Sequence, residues 1–184
     1  IQPGVATSVL NMRIICMNAH NQTPLMTDPS IAVVILAAGK GTRMKSNLPK
    51  VMHAVAGRPM IFHLLATVSN LTPAKVVVVV GPDMDQVAEA VAPYPTCVQA
   101  DRNGTGGAVK AAASELEGFE GTVLVLYGDT PLVRAETLRN AAAACAEGAA
   151  VSVLGFRPSN FHQYGRLITD DSGALTAIVE ARDA

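Results

Sequence analysis

The stretch Ile31–Met44, IAVVILAAGKGTRM, runs an unbroken apolar segment into a loop with glycines at 39 and 41. Its apolar part, Ile31 to Ala38, lacks any polar/apolar alternation. A strand of that kind needs cover on both faces, as in a parallel sheet flanked by helices. Three further runs rich in Val, Ile or Leu read the same way: Val76 to Val80, Thr122 to Tyr127 and Ala150 to Phe156. Between and after them, the pattern predicts helices at Met60 to Ser69, Met84 to Val91, Gly107 to Leu116 and the alanine-rich Ala135 to Glu147. This β-α-β punctuation predicts an α/β fold, a Rossmann-like three-layer sandwich with a mostly parallel sheet. Its loops after the strands gather at one edge as the ligand crevice.

Outward from this core the chain is less regular. Residues 1–25 hold neither helical nor strand periodicity over a full element, and Met26 reads as a natural start. The upstream piece is therefore expected to be a leader or non-native extension, with the domain running from 26 to 184. Tyr164 to Val179 reads as two short strands around a turn at Asp171-Ser172-Gly173. Glu180 to Asp183 does not look like a finishing element, so a domain truncated at its C-terminus is expected.

With 184 residues, 49% of them hydrophobic and only 16% charged, the chain can bury a sizeable core, and a disordered tail protein is excluded. The three cysteines, Cys16, Cys97 and Cys145, have neither disulfide-framework nor zinc spacing and read as reduced core thiols. His20, His53, His63 and His162 form no metal pattern, and the serines lack a GxSxG elbow. No apolar run approaches the length of a membrane span, and no basic segment leads an export signal, so a cytoplasmic protein without membrane attachment is expected.

The formal net charge is −1, yet charge is unevenly distributed. Between Asp28 and Asp83 there is no acidic residue, while Lys40, Arg43, Lys45, Lys50, Arg58 and Lys75 supply six positive charges. A solvated basic face is the plain reading. A glycine loop at a strand end favours a small polyanion over nucleic acid, because Gly39 and Gly41 let backbone N–H groups converge on phosphate oxygens. The dinucleotide fingerprint GxGxxG fails at Met44, and a Walker loop occurs nowhere. At the end of the run Thr122–Tyr127, Asp129 emerges from an apolar interior, where it can hold Mg²⁺ or cap the next helix.

LAAGKGTRM (36–44) with Leu48-Pro49-Lys50 resembles the sugar-phosphate nucleotidylyltransferases. The similarity is greatest to the uridylyltransferase half of the bifunctional N-acetylglucosamine-1-phosphate uridylyltransferase/glucosamine-1-phosphate acetyltransferase family. Later landmarks follow in the family's order: Gln99 with Gly104-Thr105, Tyr127-Gly128-Asp129, Tyr164-Gly165-Arg166 and Ile178-Val179-Glu180. The resemblance implies a nucleotide-diphospho-sugar transferase fold. It also implies a reaction in which UTP and N-acetylglucosamine 1-phosphate give UDP-N-acetylglucosamine and pyrophosphate, a precursor step for peptidoglycan and the cell envelope.

By the same resemblance, Arg43, Lys50 and Asp129 are the catalytic residues, with Asp129 carrying Mg²⁺. Leu36, Ala37, Ala38, Gly39, Gly41, Lys50, Gln99, Gly104 and Thr105 bind the nucleotide, and Tyr127, Gly128, Gly165 and Glu180 face the sugar. Gly107 stands where the family often has a larger residue. The family's second metal ligand, an Asn, and its acetyltransferase β-helix domain are expected to lie outside this chain. Two alternatives stay open: a relative using another nucleotide or sugar phosphate, and a UDP-sugar-binding fragment incomplete for catalysis. Homo-oligomerisation stays open as well.

Overall fold

The structure, a computed structural model, describes the backbone of residues 8–10 and 15–18 and, in full, residues 30–41, 44–101, 104–158 and 164–179. The chain divides into two compact units, residues 14–152 and residues 1–13 together with 153–184. The sequence predicts one domain over residues 26–184.

In the larger unit the described strands are β2 (Ile15–Asn18), β3 (Ile31–Leu36), β4 (Ala54–Val55), β5 (Arg58–Pro59), β6 (Lys75–Val80), β7 (Thr96–Val98), β8 (Thr122–Tyr127) and β9 (Val151–Val153), whose last residue falls at the division. The helices are α1 (Met60–Ser69), α2 (Asp85–Ala90), α3 (Thr105–Ala111) and α4 (Ala135–Ala146). The main sheet has the order β7-β6-β3-β8-β2-β9. Strands β7, β6, β3 and β8 are parallel, and β2 pairs with β8 antiparallel. The expected mostly parallel α/β sheet is therefore present.

Burial explains why these runs become strands. Val33, Val34, Ile35, Val78, Leu124 and Val125 are wholly inaccessible to solvent, so consecutive residues are covered on opposite faces. Burying each such side chain stabilises the fold by about 1.5–3 kcal/mol. On one face Ala32, Val34, Val77, Val79, Val123 and Val125 pack against Ala108 and Ala112, at α3 and its C-cap. Helix α4 packs against β8 and β2 and buries Leu138, Ala141, Ala142 and Cys145, an i, i+3, i+4, i+7 stripe. Its end is marked by Gly148 at φ 111°, whose N–H donates to the Cys145 carbonyl (3.1 Å). The predicted fourth helix thus holds to within a residue, whereas the third ends at Ala111 and is followed by a separate 3-10 turn at Ser114–Leu116.

The chain steps from β3 outward through β6 to β7, then returns to the other side of β3 to form β8. The strand order therefore reverses between β3 and β8, and ligand crevices form outside the carboxyl ends of strands at such a point. The glycine loop follows β3 and Asp129 follows β8, so both emerge there.

In the smaller unit β1 (Ser8–Leu10), β10 (Gly165–Thr169) and β11 (Leu175–Val179) form an antiparallel sheet in the order β1-β10-β11. The tail reading of two strands around a turn matches β10 and β11. The sequence predicts no strand in residues 1–25, yet β1 and β2 lie there. Three or four residues are too few to show a period, and the order they adopt comes from their partners β10 and β8.

Candidate functional site

The glycine loop, the turn that follows it and the ends of β7 and β8 enclose a cavity of about 270 Å³. Leu36, Ala38, Gly39 and Lys40 line it from the first loop, Lys50 and Val51 from the 3-10 turn Lys50–Met52, Gln99, Gly104, Thr105 and Ala108 from the β7–α3 side, and Tyr127 and Asp129 from the end of β8.

Lys50 is placed by its neighbours. Pro49, with φ −53°, precedes the turn, and the His53 N–H donates to the Lys50 carbonyl (3.2 Å). Nε2 of His53 donates to the Leu48 carbonyl (3.2 Å), which braces the Leu48-Pro49-Lys50 segment. Gly41 has φ 63°, and a Cβ there would stand 2.8 Å from the Lys50 Cβ. On the other flank, a Cβ on Gly128 would meet Val51 Cγ1 at 2.9 Å. Both glycines act as spacers that let the turn sit close to the two strand ends. Lys50 Nζ then lies 2.5 Å from Asp129 Oδ2, with side chains 42% and 25% exposed, so the pair is partly withdrawn from water.

The opposite wall is fixed by side chains. Gln99, only 7% exposed, donates from Nε2 to the Gly104 carbonyl (3.0 Å), and its own backbone N–H donates to Val80. Gly104 has φ 91° at the start of α3, a conformation that favours glycine. The Thr105 and Tyr127 hydroxyl oxygens are 3.3 Å apart, joining α3 to the end of β8. The Thr130 hydroxyl donates to the Tyr127 carbonyl (2.7 Å) and fixes the turn that presents Asp129.

Of the residues anticipated from sequence, the cavity brings together Leu36, Ala38, Gly39, Lys50, Gln99, Gly104, Thr105, Tyr127 and Asp129. Ala37 and Gly128 do not line it: their N–H groups donate to the Val79 carbonyl (2.8 Å) and the Leu36 carbonyl (3.0 Å). Gly41 does not line it and packs close to Lys50. Arg43 and Glu180 lie outside the described residues. Gly165 is buried in β10 of the smaller unit. Lys40, Val51 and Ala108 line the cavity without having been singled out for it. Of these, only Lys40 carried a signal, as a cation within the glycine loop.

The donor set can be tested for a divalent metal. Asp129 is the one carboxylate among the described residues lining the cavity, and no Cys or His joins it there. Among the described residues no group of three or more His, Cys, Asp or Glu could hold an ion alone. A hard oxygen donor that leaves most positions to phosphate and water fits Mg²⁺ or Mn²⁺ and does not fit zinc. No helix among the described residues is long and apolar enough to cross a membrane.

A model of the MobA-like NTP transferase domain matches residues 33–179. Two curated relatives are each called bifunctional protein GlmU. The one from Rhodospirillum rubrum is 58% identical over 155 residues, covering 83% of this chain and 34% of the relative. The one from Paramagnetospirillum magneticum is 57% identical over 161 residues, covering 86% of this chain and 36% of the relative. The chain thus spans about a third of the length of these relatives. Among solved structures, HddC from Yersinia pseudotuberculosis complexed with GMP-PN superimposes with a TM-score of 0.63 at 23% identity, over 81% of this chain and 68% of that one. The manganese complex of Rv0371c from Mycobacterium tuberculosis gives 0.52 at 19% identity, over 64% and 60%. At these identities the likeness concerns the fold.

Proposed function

Because the chain belongs to the MobA-like NTP transferase family, we propose that it joins UTP to N-acetylglucosamine 1-phosphate, forming UDP-N-acetylglucosamine and releasing pyrophosphate. The observation that carries this reading is the convergence, at the strand-order reversal, of a glycine loop, a Gln99–Gly104 clasp and the Lys50–Asp129 pair on one cavity. The GlmU relatives support the choice of nucleotide and sugar.

The sugar phosphate supplies the nucleophile. One of its ionised oxygens forms a bond to the α-phosphorus of UTP, and the bond to the bridging oxygen of the β-phosphate breaks, the electron pair leaving with pyrophosphate. No protein nucleophile is needed, so the chain contributes position and charge. The amides of the glycine loop face the phosphates, and the Lys50 ammonium offsets negative charge growing on the α-phosphate. Arg43 supplies a further cation. Gln99 and Gly104 hold the uracil edge, where an amide offers both donor and acceptor. Asp129 would hold Mg²⁺, which would supply Lewis-acid neutralisation of phosphate charge. Tyr127 is assigned to the sugar side. Consumption of UTP places the reaction with the cytoplasmic nucleotide pool, and its product suits the building of cell-envelope polymers.

The test follows Mg²⁺-dependent pyrophosphate release from UTP and the sugar phosphate by the wild type, Arg43→Ala and Asp129→Asn. Each variant should lose about 10²–10³-fold in turnover, as for removal of a preorganised charge-stabilising group. Equal rates in all three would exclude the mechanism. Saturable binding of UDP-N-acetylglucosamine without pyrophosphate release would favour a binding fragment instead.

A further inference from the structure

The cavity is lined by a second lysine that the reaction described above does not use. Lys40 stands between Gly39 and Gly41 and lines the cavity, but its Nζ lies 2.8 Å from Asp83 Oδ2, in the turn that follows β6. Both described lysines of the cavity are thus held on carboxylates, Lys50 on Asp129 and Lys40 on Asp83. Their settings differ. The Lys40 and Asp83 side chains are 50% and 66% exposed, against 42% and 25% for Lys50 and Asp129. An ion pair as exposed as Lys40–Asp83 is held weakly, because water screens the attraction and two side chains must be ordered to keep it. A flexible four-carbon stem lets the ammonium move. A nucleoside triphosphate offers it several charged oxygens in place of one carboxylate, and charge-assisted bonds to phosphate are strong.

We propose that Lys40 is a further polyphosphate-binding residue of this cavity, which exchanges Asp83 for a phosphate oxygen when a nucleoside triphosphate enters. The inference rests on the reading that the cavity takes UTP. It adds that Asp83 acts as an internal competitor for the cation, so the pair favours ligands with several phosphates over those with one.

The test is the calorimetric affinity for UTP and UMP of the wild type, Lys40→Met, Asp83→Asn and the double variant, each checked for folding by its melting curve. Lys40→Met should weaken UTP binding by about three- to tenfold and UMP by less than about twofold, and Lys40→Arg should recover most of the loss. Asp83→Asn should tighten UTP binding by about two- to fivefold. Removing a negative charge can also help an anion through space, and the double variant separates the two effects. With Lys40 gone, the gain from Asp83→Asn should vanish. An undiminished gain, or a Lys40→Met variant that binds UTP like the wild type, would overturn the inference and leave the nucleotide reading standing. A folded wild type that does not bind UTP would overturn both.

Discussion

Two glycines in one loop should respond oppositely to the same substitution. At Gly39 a Cβ meets nothing within 4 Å and φ lies outside the left-handed range, so Gly39→Ala fits. Alanine there should be neutral or stabilise by about 0.4–1 kcal/mol, by narrowing the unfolded ensemble. At Gly41 φ is 63°, and a Cβ would stand 2.8 Å from Lys50 Cβ, 3.3 Å from Cγ and 3.5 Å from Cα. Left-handed backbone costs a non-glycine residue about 1–2 kcal/mol. The overlap involves Lys50 atoms at or next to the main chain, which rotamer changes cannot clear, so the turn must shift at about 1–3 kcal/mol. Together these give about 2–5 kcal/mol, or a fall in melting temperature of about 4–20 °C for a chain of this size. Thermal melts of both variants, followed by circular dichroism, measure the difference. If Gly41→Ala melts within about 1 °C of Gly39→Ala, the claim that Gly41 seats the Lys50 turn is refuted. The same shift would carry Lys50 away from Asp129, so Gly41→Ala should also lose turnover at temperatures where it is fully folded.

Gly128→Ala should destabilise by about 1–3 kcal/mol, because its Cβ would meet Val51 Cγ1 at 2.9 Å and the Leu36 carbonyl oxygen at 3.2 Å. Adding Val51→Ala should recover part of that loss in urea denaturation, and strict additivity would count against the contact. Lys50→Met should change stability by no more than about 1 kcal/mol, since the pair is partly exposed, while lowering turnover by about 10²–10³-fold. A variant that keeps full turnover would remove Lys50 from the mechanism. In the β10–β11 turn, Asp170 accepts bonds from the Ser172 hydroxyl (2.6 Å), the Ser172 N–H (2.9 Å) and the Ala174 N–H (3.0 Å), and these hold its carboxyl below the usual carboxylate range. Its stabilising effect is then present above the unfolded-state value of about 3.9 and is lost as pH falls through the lower folded value. The amide signals of Ser172 and Ala174 should report this midpoint by NMR, and a midpoint at or above about 4 would contradict the assignment.

The central strands were legible because β3, β6 and β8 are buried on both faces, which forces continuous Val, Ile and Leu and leaves a signal that composition cannot hide. Strand β7 was not legible. Thr96 and Cys97 are half-buried and Val98 is 54% exposed, so a short edge strand carries neither a continuous run nor alternation. Burial, with Glu115 adding to it, raises the Cys97 thiol above its ordinary value. At the cavity, motif order points to Lys50, Gln99 and Asp129, but not every motif residue lines it. The Ala37 and Gly128 amides carry β-type bonds to neighbouring strands, which depends on register and so on the folded sheet. Lys40 was read only as one of six cations, because a lysine in a glycine loop looks the same in sequence whether it faces water or a carboxylate.

A cavity proposed to take a polyanion brings cations together. Cations so gathered repel one another, and the repulsion grows as their side chains leave water. Here the repulsion is eased locally, since each described lysine of the cavity has a carboxylate at ion-pair distance. The two carboxylates come from different strand ends, Asp83 after β6 and Asp129 after β8, on either side of the loop after β3. That arrangement needs a parallel order with β3 between β6 and β8. An antiparallel neighbour would present its opposite terminus at this edge, and the carboxylate following it would emerge at the far end of the sheet. The same topology that gathers the cations therefore gathers the charges that keep them in place, which is why residues so distant in sequence form one site.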